Sequence, residues 1–420
     1  MFDARSPLTT GRADCVACGR SHILSARTEA CDCDRRENLA LHYSLDAETG
    51  SALRGSLAGN APSLWRYAPL LPVESRFASR LQVGWTPLID CGPCGSAHLF
   101  LKDETRLPSG SLKDRASEMV VAVAVAHGID QVIVASTGNA AASLACIGAA
   151  AGVQVTVLVP ATVPPAKLAQ IVAYGARVHR VAGRYDDAFV MAGKIAEAQG
   201  IINRSTGLNP FTREGKKTCA LEIAEQLGWQ APDWVIVPTG DGNILSAVWQ
   251  GFRELAALGW LERMPRLVAV QSVASRYITS VFNGEEPRSA GNGETIADSI
   301  TVGHARDATA ALAALNESAG VAVTVDDDEI IAAVLALGAR FGMFAEPSSA
   351  AAFAAFERLN EAGRFARGDR VVCLITGTGL KDLRPVLAAS ALDAEPAVDP
   401  ADWRSIVPVA AQPVEPAACA

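Results

Sequence analysis

Short apolar runs alternate with helical patterns in the first half of the chain. A strand-like run at Gln131–Ala135 precedes an alanine-rich helical segment, Ala140–Ala151, and a second run follows at Val153–Val159. A helix at about 165–174 then leads to a strand at Arg177–Val181. Near-continuous apolar strands are typical of parallel sheets that are covered on both faces. The pattern therefore predicts a parallel α/β architecture.

The same alternation restarts in the second half. A strand at Trp234–Val237 is followed by a helix at about 244–258, and two more buried strands are predicted at Arg266–Gln271 and Arg370–Ile375. Residues 393–420 are rich in Pro and Ala and have little periodicity. This composition predicts a loosely ordered tail.

Composition narrows the class of protein. The 420 residues suggest two or three domains, and a 50% apolar content suffices for large cores. The net charge of −8 argues against nucleic acid as a partner, because binding a phosphate backbone requires clustered Lys and Arg. The N-terminus lacks the apolar region of a secretory signal, and the most apolar stretch, Val120–Ala126, is too short to cross a membrane. We therefore expect a cytoplasmic protein.

Four of the ten cysteines lie close together as Cys15, Cys18, Cys31 and Cys33. Two close pairs of thiolates can supply a tetrahedral zinc site. The spacing is short for a zinc ribbon, so a knuckle with free thiols is the alternative. We interpret Cys91–Cys94 (Cys-Gly-Pro-Cys) as a turn, because no strand-helix context of a thioredoxin motif precedes it.

Glycine-bearing turns follow or flank several of the strand-like segments. In open α/β sheets, ligands bind at the carboxyl ends of strands, where loops and helix N-termini meet. Several such turns in one chain indicate one phosphorylated small-molecule ligand, although their spacing alone does not identify it.

A resemblance indicates which ligand this is. Leu101–Glu104 and Pro108–Arg115 resemble the active-site segment of fold-type II pyridoxal-phosphate (PLP) enzymes, and of threonine synthases most closely. The resemblance keeps one order over about residues 10–390. Its further segments are Trp65–Tyr67, Leu70–Pro72, Gly84–Leu88, Ser136–Asn139, Lys167–Gln170, Tyr174–Ala176, Asn209–Pro210, Glu214–Thr218, Glu346–Ala350 and Thr376–Asp382.

The resemblance implies an α/β fold of the tryptophan synthase β type, with PLP in the cleft between two three-layer domains. The large domain would comprise residues 51–111 and 216–392, and the small domain residues 112–215. Residues 1–50 would form a zinc-ribbon-like cysteine knuckle. The resemblance also implies a homodimer.

The resemblance assigns roles to residues of two segments. Lys113 would be the catalytic lysine that forms an imine with the cofactor, which requires a primary amine of lowered pKa. Asn139 would hydrogen-bond the cofactor's 3′-hydroxyl. The backbone N–H groups of Ser136, Thr137 and Gly138 would hold the substrate carboxylate at a helix N-terminus.

The cofactor phosphate is assigned to a second loop. The residues of this loop are Thr239, Gly240, Asp241, Gly242 and Asn243. Its glycines would let the backbone approach the phosphate closely. The loop is one residue shorter than is usual in the family, and Asp241 places a negative charge near the phosphate.

Thr376 matches the hydroxyl residue beside the pyridine nitrogen. A neutral hydroxyl does not force this nitrogen to stay protonated, which suits elimination and replacement at the β and γ carbons. We interpret the acidic Glu346 as the anchor of a helix start and not as a catalytic base.

The implied reaction is that of threonine synthase, which converts O-phospho-L-homoserine and water to L-threonine and phosphate. Lys113 would then also carry protons between substrate carbons. The substrate brings a second phosphate, and Lys102, Arg115 and Lys381 are basic residues within the matched segments.

Two departures from the family pattern leave other substrates open. Thr301 stands where the family often has Arg, and Leu112 stands where Phe is usual. One alternative is therefore a related PLP enzyme of the dehydratase, cysteate synthase or diaminopropionate synthase type, acting on serine or phosphoserine. Another is a non-catalytic PLP-fold binding protein, against which the intact set of Lys113, Asn139 and Thr376 argues.

Overall fold

The computed structural model describes residues 7–34, 37–57, 59–163, 165–288, 295–390 and 400. Apart from residue 400, the predicted tail at 393–420 lies outside the described residues. The N-terminal segment carries a small antiparallel sheet in the order β2-β1-β3. Its strands are β1 (Arg12–Cys15), β2 (Ser21–Ile23) and β3 (Leu39–Leu41).

Two larger sheets form the body of the protein. A six-stranded sheet has the order β12-β11-β10-β13-β5-β4. Its strands are β4 (Leu88–Cys94), β5 (Ala97–Asp103), β10 (Trp234–Pro238), β11 (Arg266–Ser272), β12 (Val321–Val325) and β13 (Arg370–Ile375). Every neighbouring pair is parallel except β4 and β5.

A four-stranded sheet has the order β8-β7-β6-β9 and is parallel throughout. Its strands are β6 (Gln131–Ala135), β7 (Gln154–Pro160), β8 (Arg177–Val181) and β9 (Ile202–Asn203). The strands of this sheet come from residues 131–203 alone. The domain boundaries at 112–215 stay a prediction.

Twelve α-helices lie within the described residues, and none is long and apolar enough to span a membrane. They are α1 (Ala47–Leu57), α2 (Lys113–Ala126), α3 (Asn139–Ala151), α4 (Pro165–Ala173), α5 (Tyr185–Gln199), α6 (Phe211–Gln226), α7 (Asn243–Ala257), α8 (Tyr277–Asn283), α9 (Ala308–Glu317), α10 (Asp327–Phe341), α11 (Pro347–Glu361) and α12 (Arg384–Ala389). Helices alternating with parallel strands confirm the predicted α/β fold.

The strands predicted at Gln131–Ala135, Arg177–Val181 and Arg370–Ile375 have these same bounds in the structure. Buried apolar side chains explain this agreement for the first and the last of these strands, whereas Arg177–Val181 is largely exposed. The interpretation of Cys91–Cys94 as a turn is wrong. These residues end β4, which pairs with β5 around a bulge between Asp90 and Gly92.

A buried ion-pair network fixes the start of α2 against the six-stranded sheet. Arg115 is 0% exposed. Its guanidinium donates to Glu104, which follows β5, at 2.7 Å and to Glu222 on α6 at 2.6 Å. Lys102 also donates to Glu222, at 2.8 Å. The two carboxylates thus face two cations, which offsets the cost of burying all four charges.

Helices α2 and α6 touch where α6 carries a glycine. A Cβ at Gly215 would lie 1.9 Å from the carbonyl oxygen of Arg115. The missing side chain lets the backbone of α6 press directly on the first turn of α2. Hence the contacts of Arg115 and Gly215 fix the first turn of α2, which includes Lys113.

Replacing Arg115 should unfold this arrangement more readily. In an Arg115→Met variant, Glu104 and Glu222 lose their shared cation, and we expect the free energy of unfolding to fall by about 3–5 kcal/mol. Urea unfolding followed by circular dichroism measures this change. The control is Arg76→Met, because Arg76 pairs with Glu74 at the surface and both side chains are more than half exposed. Equal falls in the free energy of unfolding of the two variants would contradict the stabilising role of the buried network.

Candidate active site

The predicted site residues lie at the carboxyl ends of strands from both large sheets. Residues 136–139 follow β6 and residues 239–243 follow β10, while Thr376 follows β13. Parallel strands present their carboxyl ends at one edge of a sheet, where ligands bind in such folds. Both sheets therefore contribute loops to the site.

Lys113 is the first residue of α2 and is held beside the end of β13. The N–H of Leu112 donates to the carbonyl oxygen of Thr376 at 2.8 Å. An isolated antiparallel bridge joins Ser111 to Gly377, and the N–H of Thr378 donates to Gly110 at 3.0 Å. Backbone hydrogen bonds thus place Lys113 next to Thr376.

The amine of Lys113 lies among charged groups. Burial lowers the pKa of Lys113, and the guanidinium of Arg204 lowers it further. The carboxylates of Asp241 and Glu346 act in the opposite direction. A lysine of lowered pKa has more of its amine in the neutral, nucleophilic form at neutral pH.

Asn139 begins α3 and contacts Glu346. Its side-chain amide donates to both carboxylate oxygens of Glu346 at 3.0 Å and to the hydroxyl of Ser299 at 3.3 Å. Glu346 is 4% exposed, and burial raises its pKa. A Cβ at Gly377 would lie 2.8 Å from the Glu346 carboxyl carbon. Asn139, Glu346 and the loop after β13 therefore converge.

The interpretation of Glu346 as a helix anchor is only partly right. Glu346 occupies the N-cap position of α11, but its side chain makes no capping hydrogen bond. The carboxylate instead faces Asn139, and its charge acts on Lys113. The local pattern Glu-Pro-Ser-Ser predicted the helix start, whereas the direction of the side chain depends on distant segments.

Ser136, Thr137 and Gly138 form the turn between β6 and α3. All three are partly exposed. Gly138 is the N-cap residue of α3, and its N–H donates to the hydroxyl of Ser136 at 3.2 Å. The turn thus lies at a helix N-terminus, where backbone donors and the helix dipole favour an anion.

The loop Thr239–Asn243 leads from β10 into α7. Gly242 caps this helix with a φ of +93°, and a Cβ there would lie 2.7 Å from the Cβ of Ala311. A Cβ at Gly240 would approach the Cα of Ile300 to 3.2 Å. The hydroxyl of Thr239 donates to Val237 at 2.8 Å. The two glycines allow close packing of this loop against its neighbours.

Asp241 turns back onto its own helix. One carboxylate oxygen accepts the N–H of Asn243 at 3.0 Å. The carboxylate therefore occupies one of the helix N-terminal donors that an anionic ligand would use. Its partly exposed position leaves it room to move aside.

A fully buried lysine stands behind this loop. Lys216 on α6 is 0% exposed and donates to the side-chain oxygen of Asn243 at 2.5 Å. Asn243 in turn donates to Asp307 at 3.0 Å. Burial, and next the charge of Lys113, hold the pKa of Lys216 well below its ordinary value. The two lysines are thus close enough to repel each other.

Thr376 is 7% exposed, and its hydroxyl lies 2.9 Å from that of Ser349 on α11. Either hydroxyl can donate in this pair, so Thr376 keeps the capacity to donate to or accept from a ligand. Ser349 itself was named in the sequence only as part of the matched segment Glu346–Ala350.

Three basic residues were candidates for a second phosphate. Lys102 and Arg115 are buried in ion pairs with Glu222, so their charges are already paired. Lys381 donates to Gln170 at 2.9 Å, and burial lowers its pKa. Two further basic residues, Arg204 and Lys216, interact electrostatically with Lys113. Arg204 lies in none of the matched segments, and Lys216 lies in Glu214–Thr218 without a role that the resemblance assigns.

The four N-terminal cysteines form a separate cluster. All four sulfur atoms lie within 4.8 Å of one another. The sulfurs of Cys15 and Cys33 are 3.8 Å apart, as are those of Cys18 and Cys31. A tetrahedral zinc ion with Zn–S bonds of about 2.3 Å sets its ligand sulfurs about 3.8 Å apart. The cluster therefore has the dimensions of a tetrathiolate metal site.

Comparison with known proteins assigns the chain to a family. The family model described as pyridoxal-phosphate dependent enzyme matches residues 79–377. The chain is 37% identical to a threonine synthase of Methanocaldococcus jannaschii over 385 residues, which cover 90% of this chain and 94% of the relative. The chain belongs to the threonine synthase family of PLP-dependent lyases.

Another relative gives the same result. A threonine synthase of Halalkalibacterium halodurans is 37% identical over 355 residues, covering 82% of this chain and 97% of the relative. Solved structures support the fold alone. A tomato threonine deaminase has a TM-score of 0.64 at 20% identity, covering 83% of this chain and 95% of its own. Maize serine racemase has a TM-score of 0.62 at 18% identity, covering 84% and 98%. These neighbours confirm the predicted fold-type II architecture.

Proposed function

We propose that this protein is a threonine synthase, which converts O-phospho-L-homoserine and water to L-threonine and phosphate. The observation that carries the proposal is the 37% identity to a named threonine synthase over 94% of that relative's length. The arrangement around Lys113 agrees with this reaction, because it combines an amine of lowered pKa with several cations.

The residues present fit PLP. The side-chain amine of Lys216 is fully buried, and its one hydrogen-bond partner among the described residues is the neutral amide of Asn243. An anion bound beside this amine would favour its protonated form, because the buried charge would then have a partner. The loop Thr239–Asn243, with its glycines and the N-terminus of α7, would hold the cofactor phosphate beside Lys216. Asp241 would then release the N–H of Asn243 to the phosphate.

Lys113 would bond to the cofactor, and Asn139 would face the cofactor's 3′-hydroxyl. Thr376 would face the pyridine nitrogen with its hydroxyl. PLP, when bound, supplies an electron sink that makes protons on neighbouring substrate carbons removable. The turn at 136–138 would orient the substrate through its carboxylate, with backbone N–H groups as donors.

Lys113 would also move protons. Once displaced by the substrate amine, its neutral amine can accept a proton from one substrate carbon and return it to another. Burial lowers the pKa of Lys113, and the carboxylates of Asp241 and Glu346 partly offset this shift. These opposing effects keep the amine able both to take up and to release a proton.

The assay follows threonine and inorganic phosphate together from O-phospho-L-homoserine with PLP-loaded protein. We expect equal amounts of both products, and a loss of about 10²–10⁴-fold or more in the Lys113→Ala variant. The matched control is Lys194→Ala, an exposed lysine on α5, which should keep full activity.

Formation of keto acid or of a substituted alanine from serine or phosphoserine, with no threonine, would contradict the proposal. That result would favour a related enzyme of β-elimination or β-replacement. A protein that binds PLP but turns over none of these amino acids would indicate a binding function instead.

We further propose that Cys15, Cys18, Cys31 and Cys33 bind one zinc ion. Their sulfur separations support this, and so does the surrounding charge. Arg20 lies close enough to act electrostatically on Cys31, Cys18 and Cys33, which would offset the negative charge of a tetrathiolate site. Cys15 and Cys31 also belong to one hydrophobic cluster with residues of α2, so the ion would fasten the N-terminal segment to the body.

Metal analysis of the purified full-length chain tests this site. We expect about one zinc per chain in the wild type and a large loss in Cys31→Ser. Cys146→Ser is the control, because Cys146 is a buried free cysteine outside the cluster. Unchanged zinc content in Cys31→Ser, or none in the wild type, would remove the proposal.

We also propose a homodimer that acts in the cytoplasm. The dimer rests on the family resemblance. The free buried thiols of Cys146, Cys219 and Cys373 agree with a reducing compartment, whereas the disulfide-bonded Cys94 does not support it. A solution mass of a single 43.8 kDa chain would contradict the dimer. Recovery of the protein from a secreted fraction would contradict the compartment.

A further inference from the structure

Arg204 is a buried cation whose hydrogen-bonding capacity is only partly used. Its side chain is 0% exposed. Nη1 donates to the hydroxyl of Thr206 at 2.8 Å, and Nε donates to the hydroxyl of Ser117 at 3.3 Å. Nη2 is buried and has no hydrogen-bond partner within the described part of the chain. One edge of the guanidinium is therefore available to a ligand.

The other buried arginines differ from Arg204, because each of them has a carboxylate partner. Arg115 pairs with two carboxylates, and Arg213 pairs with Asp307 at 2.5 Å. Among the described residues, none forms an ion pair with Arg204. Burial consequently lowers the pKa of Arg204 to about 10, even though the charge of Asp241 raises it. An unpaired buried charge is costly, and an anion bound next to it would remove that cost.

Arg204 is positioned by the four-stranded sheet and by α2. It follows β9, and its N–H donates to Ile133 on β6 at 2.8 Å. Its anchor Ser117 lies four residues after Lys113, and therefore on the same face of α2. The charge of Arg204 also acts on Lys113 and Lys216. The guanidinium thus lies within electrostatic reach of the lysine that we assign to the chemistry.

We propose that Arg204 is a specificity-determining residue that binds the anionic side-chain group of the substrate, the phosphate of a phosphorylated amino acid, through its free Nη2. The proposal rests on the proposed function and names the residue that recognises the leaving group. Arg204 selects phosphorylated amino acids over neutral ones of the same length, since a neutral side chain leaves the guanidinium unpaired.

The cofactor phosphate is the other anion of the site, but it has its own cation. Lys216 is bonded to Asn243 in the loop at the start of α7. Among the described residues, Arg204 is instead held by Ser117 on α2 and by Thr206. The charge of Asp241 in that loop acts on Arg204, but no hydrogen bond between described residues joins Arg204 to the loop. The phosphate groups of the cofactor and of the substrate would therefore each have a basic residue of their own, Lys216 and Arg204. The substrate phosphate is the one left for Arg204.

The experiment compares PLP-loaded wild type, Arg204→Gln and Arg306→Gln. Arg306 is the matched control, because it is already paired with Asp186 at 3.0 Å. Three quantities are measured: KM and kcat for O-phospho-L-homoserine, the calorimetric affinity for inorganic phosphate, and the affinity for PLP. Losing a charged hydrogen bond should raise KM and weaken phosphate binding by about 10- to 100-fold in Arg204→Gln. PLP affinity should stay within about twofold, and Arg306→Gln should resemble the wild type.

Unchanged KM and phosphate affinity in Arg204→Gln would overturn the proposal. A parallel fall in PLP affinity with unchanged KM would overturn it too, by assigning Arg204 to the cofactor. If Arg204→Gln does not fold, Thr206→Val replaces it, since this variant removes only the acceptor that orients Nη1. Weaker phosphate binding there supports the proposal, and unchanged binding contradicts it.

The phosphate titration needs no turnover, so it separates the two claims. A protein that binds phosphate through Arg204 but makes no threonine would keep this inference and lose the proposed function. A protein that makes threonine with its usual KM in Arg204→Gln would keep the function and lose the inference.

Discussion

The buried ion pairs of Arg115 with Glu104 and Glu222 are the constraint on which the site depends. Arg115 lies two residues after Lys113, in the first turn of α2. Its carboxylate partners come from the segment after β5 and from α6, so the network joins both halves of the chain at this turn. Because Gly215 lets α6 press on the same turn, Lys113 has little freedom of backbone position. A lysine that bonds to a cofactor has to be held in one position by its surroundings.

The charged groups around Lys113 form a second set, in which ion pairs are fewer than in the network of Arg115. Lys113, Lys216 and Arg204 face Asp241, Glu346 and Asp307, and most of these groups are buried. Asp307 is shared with Arg213, and Glu346 accepts from Asn139. Two of the cations, Lys216 and Arg204, have no carboxylate in hydrogen-bond contact among the described residues. These two buried basic side chains, each without a carboxylate partner in the described part of the chain, are what a site for two phosphate groups requires.

Much of the fold could be predicted because its strands are buried on both faces. Runs such as Gln131–Ala135 and Arg370–Ile375 are apolar and buried after their first residue, and their bounds in the structure are those of the pattern. The pattern does not predict the strand β12, Val321–Val325, which contains Thr324 and is only partly buried. The segment Cys91–Cys94 was misread, because a Gly-Pro pair within a bulged edge strand has the composition of a turn.

The site was predictable where chemistry lies in short motifs and not where it depends on distant contacts. Lys113, Asn139 and the loop Thr239–Asn243 stand in recognisable segments. The carboxylate of Glu346, by contrast, is aimed by a contact with Asn139 that is 207 residues away in sequence. Arg204 has no motif at all, and only its burial without an acidic partner distinguishes it.

The central claim is that PLP is carried by Lys113 and not by its buried neighbour Lys216. Borohydride reduction of the PLP-loaded protein, followed by proteolysis and mass spectrometry, locates the modified lysine directly. The account predicts that the added mass lies on the peptide containing Lys113. Modification of Lys216, or of no lysine in a protein that has bound PLP, would contradict it.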